Sequence, residues 1–330
     1  MTCGKRRSYD RWLFTALLVG VLTLKYGASA YAQSAEYIYW ADLGTNSIRR
    51  ANLDGSNEGD FITGLTDIRG IALDLTNNYI YWAQKNQNKI KRADLDDPTN
   101  VTDLNSLTAS LFSPSSPMGI ALSSRYIYWV EFSNDLVRAD LNGDNQLDLI
   151  DNTVVSGRYI ALDEGDNRMY WAESSRIRRA NLDDGDNVDT LDEISPAVSG
   201  AEGIALDLIN NHVYWSETGK IRRADLDGNN AIDLGINPDP VQARDVALDL
   251  VNNHIYWTER NKIRRADLDD PTNVIDLLLT VNSGEGIALQ LDENSSSSGR
   301  QVRNVPFKSQ YVVLALFALL GCWYVVHRPH

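Results

Sequence analysis

YIYWAD at residues 37–42 recurs as YIYWAQ at 79–84, YIYWVE at 126–131, RMYWAE at 168–173, HVYWSE at 212–217 and HIYWTE at 254–259. The motif tryptophans Trp40, Trp82, Trp129, Trp171, Trp215 and Trp257 stand 42, 47, 42, 44 and 42 residues apart. A repeat of that length is one supersecondary unit stacked on its neighbours, and four strands per unit make a propeller blade. The expectation is an all-β chain folded as a six-bladed β-propeller.

Each period parses into strands by alternation and turn residues. First comes GIALDL at Gly70–Leu75, with variants opening at Gly119, Tyr159, Gly203, Asp245 and Gly286. A tight hairpin turn with paired asparagines (Asn77-Asn78, Asn210-Asn211, Asn252-Asn253) leads into the YW strand, because Asn tolerates positive φ. Along that strand the Tyr and Trp of each pair point to opposite faces. The third strand reads IRRANLD or IRRADLD, at Ile48–Asp54, Ile90–Asp96 (as IKRADLD), Ile177–Asp183, Ile221–Asp227 and Ile263–Asp269, and departs in the third period as Leu136–Asn142. An outer, less regular strand follows.

The alanines Ala72, Ala121, Ala161, Ala205, Ala247 and Ala288 suit an innermost strand, where a radial sheet narrows toward its axis. The first motif has no GIALD before it, and the last one, at residues 286–292, has no YW strand after it. The C-terminal strand is therefore expected to complete the N-terminal blade and remove the open sheet edges.

These motifs, YW[TASV][DEQ], I-x-x-A-[DN]-L-D and G-I-A-L-D, resemble the YWTD repeats of the low-density lipoprotein receptor family over about residues 36–292. The resemblance implies the same six-bladed propeller. The fourth motif residue is Asp only at Asp42, and is otherwise Gln84, Glu131, Glu173, Glu217 or Glu259. The cysteine-rich modules that flank such propellers in animal receptors are absent, so lipoprotein uptake is not implied. Stand-alone bacterial surface proteins with these repeats are the closer likeness.

Both ends read as processing or anchoring segments. Residues 1–32 carry Lys5, Arg6, Arg7 and Arg11, an apolar run from Trp12 to Leu24 and the small-residue exit ASAYA, the pattern of a secretory signal. Residues 293–310, with serines at 295–298 and Gly299, read as a flexible tether. Residues 311–330 hold a second apolar run, Tyr311–Val326, closed by HRPH. At helical rise that run spans about 24 Å against a hydrocarbon core of ~30 Å. It fits a transmembrane helix, a lipid-anchor signal or a sorting tail. The expected domain is residues 33–292, exported and held at a cell surface or on the outer face of a membrane by its C-terminus.

Charge and cysteine narrow the partners. The chain carries −14; the first 32 residues hold +4 and the last 20 hold +1, which leaves −19 on residues 33–310. Such a domain repels phosphate backbones, so nucleic acid is not an expected partner. Cys3 and Cys322 both lie in the terminal segments, which excludes disulfides and cysteine metal sites from the domain.

No catalytic constellation stands out. His212 and His254 share one repeat position with Tyr37, Tyr79, Tyr126 and Arg168, and read as strand surface. Asp140, Asn142, Asp144, Asp148 and Asp151 match a calcium-loop spacing weakly, with Asn145 where glycine is usual. The doublets Arg49-Arg50, Lys91-Arg92, Arg178-Arg179, Arg222-Arg223 and Arg264-Arg265 read as ion-pair partners of the YW-motif acids rather than a polyanion site. The motif tryptophans are structural, and apart from possible calcium no cofactor is expected.

Positions alike in every period serve the fold, and positions that vary are free for binding. The residues at the start of the innermost strand vary most: Arg69, Met118, Arg158, Glu202, Arg244 and Glu285, with Tyr159 and Asp245 replacing glycine at the next place. They are expected to ring one mouth of the central channel as a binding site. The functional expectation is a non-enzymatic protein-binding or adhesion module. The alternative is a lactonase-like hydrolase in which Glu202, Asp245 and Glu285 gather a divalent metal.

Overall fold

Alternating apolar and polar residues between Asn- and Gly-containing turns build six antiparallel sheets of four strands each among the described residues. The computed structural model describes residues 36–104, 115–132, 135–151, 153–191, 197–236, 240, 242–278 and 280–291. The expected signal at 1–32, the tether at 293–310 and the anchor at 311–330 lie outside the described residues. No helix among the described residues is long and apolar enough to cross a membrane.

The first blade has the innermost strand Gly284–Gln290, then Tyr37–Asp42, Ser47–Asn52 and Gly59–Ile62. The C-terminal strand thus closes the N-terminal blade, with Tyr39 opposite Ala288 and Trp40 opposite Ile287. Asp42 fastens the closure: its Oδ2 accepts the Asn282 N–H at 2.9 Å while its Oδ1 caps Gly44 and Thr45. The other five blades repeat the order in sequence, from Ile68–Asp74 in the second to Val246–Asp249 in the sixth.

The cores lie between blades, and this is where the alternation of Tyr and Trp acts. Each apolar cluster joins the motif Tyr of one blade to the motif Trp of the next: Tyr39 with Trp82, Tyr81 with Trp129, Tyr128 with Trp171, Tyr170 with Trp215, Tyr214 with Trp257, and Tyr256 with Trp40 around the closure. All six tryptophans are 0–1% exposed. Removing one such ring costs about 3–5 kcal/mol.

The doublets divide their labour by the same rule. The first basic residue lies across from Trp and the second from Tyr, as in Trp215 opposite Arg222 and Tyr214 opposite Arg223. The first stacks on the indole, with Arg178, Arg222 and Arg264 at 5.3, 5.1 and 5.5 Å from the ring centroids. It also meets the motif glutamate: Arg178–Glu173 3.4 Å, Arg222–Glu217 3.1 Å and Arg264–Glu259 3.3 Å. Arg49 departs from the expected pairing and meets Glu58 and Asp60, because Asp42 is engaged in the closure. The second basic residue reaches the next blade, as Arg92 to the Leu141 carbonyl at 3.1 Å and Arg179 to the Leu226 carbonyl at 3.0 Å.

The turn after the innermost strand is longer than expected. In the second blade Asp74 pairs with Tyr79, which leaves four residues in the loop rather than two. Only the second asparagine takes positive φ, at 63° for Asn78, 62° for Asn211 and 62° for Asn253. The first is held by the preceding aspartate, whose Oδ1 accepts the Asn77 N–H at 2.9 Å.

Candidate functional site

The channel mouth is set by close backbone approach at the axis. A Cβ on Gly70 would lie 2.7 Å from the Met118 carbonyl oxygen, and one on Gly203 would lie 2.5 Å from the Asp245 Cα. Glycine there lets adjacent innermost strands touch. The residue before it is thereby fixed at one end of the channel, which is where the sequence places the variable set.

The structure brings most of that set together. Arg69 donates from Nη1 to Glu285 Oε1 at 2.8 Å and from Nη2 to Asp67 Oδ1 at 2.6 Å. Glu202 lies between two guanidiniums, with Arg244 at 3.2 Å and Arg158 at 3.7 Å. Arginines and acids thus interlock around the mouth as expected. Met118 stands at the same place in the third blade. It is 2% exposed, because an apolar thioether at a place that takes charged residues elsewhere is more stable away from water.

The two residues that replace glycine are buried. Asp245 Oδ1 accepts the Val246 N–H at 2.9 Å, and Oδ2 accepts the Ile287 N–H of the neighbouring blade at 3.0 Å. Burial outweighs those two donors and, with Glu285 and Glu202 nearby, pushes the Asp245 carboxyl up to about 8. Burial likewise raises Glu285 against the pull of Arg69 and Arg244. Tyr159 is raised well above its ordinary value by burial and then by Asp245, Glu285 and Glu202. Its hydroxyl is buried without a hydrogen-bond partner among the described residues, as are Nε of Arg69 and of Arg158.

Three mouth residues were missed by sequence reasoning: Asp67, Lys85 and Phe132. Lys85 Nζ lies 4.0 Å from the Phe132 ring centroid, and the Arg158 guanidinium lies 5.2 Å from the same ring. Burial, Arg69 and Arg158 lower the Lys85 ammonium, while Asp67 and Glu285 oppose them. The available signal was turn length. The YW and third strands are joined by four residues in the second blade but by two in the fourth, fifth and sixth. Lys85 and the arginines Arg69, Arg158 and Arg244 thus face Asp67, Glu202, Asp245 and Glu285 across the mouth, cations and carboxyls in equal number.

Two metal expectations are corrected. Among the described residues no group of three or more His, Cys, Asp or Glu could hold a metal ion. Glu202 and Glu285 are taken up by arginines and Asp245 by backbone amides, so the carboxylates proposed for a hydrolase metal do not converge on one. The calcium-loop match also dissolves. Asp140 Oδ2 accepts from Asn145 Nδ2 at 2.7 Å, Asn142 and Asp144 bond each other, and Asp148 sits on the outer strand Leu147–Ile150 opposite Val137. Asp151 follows that strand, so the five positions do not wrap one centre. His212 and His254 are half-buried strand residues, edge-on to Tyr214 and Tyr256. His254 Nε2 lies 3.1 Å from Asp267, and burial lowers both imidazoles.

The architecture has known counterparts. A crystal structure of the nidogen/laminin complex aligns at a TM-score of 0.65 and 20% identity, over 78% of this chain and 99% of the other. The chain has the fold of a YWTD-type six-bladed β-propeller. A catalytically inactive virginiamycin B lyase from Staphylococcus aureus, crystallised with quinupristin, aligns with this propeller at 0.55 and 17% identity, over 80% of this chain and 94% of the other. No family model and no curated protein matches the sequence. One of the two counterparts is part of a protein complex and the other is a lyase, so fold alone leaves the activity open and the site must decide it.

Proposed function

We propose that this YWTD-type propeller is a non-enzymatic binding module, exported and held at a surface by its C-terminal segment, that receives a protein partner at the channel mouth. The observation that carries this reading is the convergence of residues that vary between blades. Arg69, Arg158, Glu202, Arg244 and Glu285 come from five blades and interlock at one end of the axis, while the repeated residues are buried in the interfaces. The guanidiniums of Arg158 and Arg244, 23% and 33% exposed at the mouth, are donors that suit acceptor groups on a partner loop.

The test is comparative recovery. Full-length chain and an Arg69→Ala, Arg158→Ala, Arg244→Ala variant are immobilised and exposed to the same extract of surface proteins. At least one partner should be held by the first and lost by the second, with melting curves matched. Equal recovery of every partner by both would refute binding at the mouth.

A further inference from the structure

Strand direction gives the propeller two unlike faces. The innermost strand runs away from the mouth, so the turn that follows it lies on the opposite face, beside the turn between the third and outer strands. Backbone bonds tie these two turn sets together, Leu95 N–H to the Asn78 carbonyl at 2.9 Å and Leu268 N–H to the Asn253 carbonyl at 2.8 Å.

Near the axis on this face the turn tips of the second and fifth blades, which stand across the ring from each other, are apolar. Asp207 Oδ1 accepts the Ile209 and Asn210 N–H groups at 3.1 and 2.9 Å, which holds the tip in one shape. Leu208 and Ile209 are left 43% and 50% exposed, and Leu75 of the second blade 46% exposed. Val251, half-buried, takes the same place in the sixth blade. The third and fourth blades differ: Ser124 bonds Glu164 there through both its N–H and its hydroxyl. Turn positions ordinarily favour polar residues with local hydrogen bonds, so aliphatic tips need another reason. Farther out, the second turn set is acidic, with Asp96, Asp97, Asp183, Asp184, Asp269 and Asp270 all exposed. The five lysines among the described residues, Lys85, Lys89, Lys91, Lys220 and Lys262, are all placed toward the mouth, in the turn before the third strand or in that strand's first half.

We propose that this second face docks a basic amphipathic polypeptide segment. Its aliphatic side would cover Leu75, Leu208 and Ile209, and its lysines and arginines would meet the surrounding carboxylates. Charge complementarity selects this occupant: the exposed aspartates outnumber Arg125, the one exposed cation in the inner turns among the described residues, so an anionic bilayer or an acidic peptide would be repelled by the same ring. The site stands at the opposite end of the channel from the mouth and does not depend on what the mouth binds.

A leucine–lysine amphipathic peptide tests it against a lysine–serine peptide of equal charge, each titrated into the full chain by fluorescence anisotropy. The first should bind at least about tenfold more tightly, the aliphatic contribution on top of a shared electrostatic one. Added salt should weaken both. Leu75→Ser, Leu208→Ser, Ile209→Ser should bring the two peptides within about threefold, and Ile209→Ser alone should take away part of the preference. These side chains are exposed, so the melting temperature should hold. Arg69→Ala, at the other end, should leave the preference intact. No preference in the unaltered chain, a preference that survives the triple serine variant, or one abolished by Arg69→Ala would overturn the proposal.

Discussion

Glu131 shows how much one substitution inside a repeat changes. In the fourth, fifth and sixth blades the equivalent glutamate accepts its own blade's indole N–H and also meets an arginine: Trp171–Glu173 is 2.9 Å, Trp215–Glu217 2.7 Å and Trp257–Glu259 2.8 Å. In the third blade that arginine is Val137, across from Trp129. Glu131 keeps the Trp129 N–H at 3.1 Å and the Ser115 N–H at 2.8 Å, with Asp135 and Asp148 as its charged neighbours. Burial pushes its carboxyl up from 4.5 to about 7, and Asp245 rises from 3.8 to about 8. Both folded values lie above the unfolded ones. Their contribution to stability is therefore complete below about pH 4 and is lost as pH rises through 7 and then 8. The melting temperature should fall between about pH 5 and pH 9. Glu131→Gln, which keeps the one oxygen that accepts both the Ser115 amide and the Trp129 indole, should flatten that fall, and so should Asp245→Asn, at the cost of one of the two acceptors that hold the Val246 and Ile287 amides. A mutant curve parallel to the unaltered one across this range would show that these groups do not ionise as described.

At the scale of the strand, the fourth motif position was legible as a family signature but not as a hydrogen-bond partner. A glutamate two residues after Trp on the same face reaches back to the indole, whereas Asp42 is a methylene shorter and caps its own turn, and the Gln84 amide donates to the Thr66 carbonyl at 2.8 Å. Trp40 and Trp82 accordingly keep unpartnered indole N–H groups among the described residues. Glu217→Ala should be costly, because Arg222 and Trp215 are 1% and 0% exposed and both lose their carboxylate. The expected loss is about 3–5 kcal/mol in denaturant unfolding. Gln84→Ala breaks only neutral bonds and should cost about 1–2 kcal/mol. Equal losses would mean that the glutamate–arginine–indole unit is not what holds these blades.

At the scale of the whole molecule, the period of the tryptophans made the propeller readable, since six in-register repeats admit few other arrangements. Comparing blades also made the mouth readable, because Arg69, Arg158, Glu202, Arg244 and Glu285 break the repeat at one position. Lys85 and Phe132 were not readable in that way. They sit in turns whose length varies, and turn conformation is set by local hydrogen bonds such as Lys85 N–H to the Asp67 carbonyl at 3.0 Å. The burial of Met118 was equally hidden, because periodicity gives a strand's direction but not how deep a side chain lies. The difference between the two faces emerges only once the strand directions are fixed, which put the lysines toward the mouth and the aspartate-rich second turn set at the other end. The central claim is that the breaks in the repeat, gathered at the mouth, are what a partner touches. Hydrogen–deuterium exchange of the full chain with and without a recovered partner tests it most directly. Protection should concentrate on the turns and strand entries around residues 66–70, 85–88, 156–159, 200–203, 243–246 and 283–286. Protection confined to the outer strands, with the mouth segments exchanging as in the free chain, would contradict it.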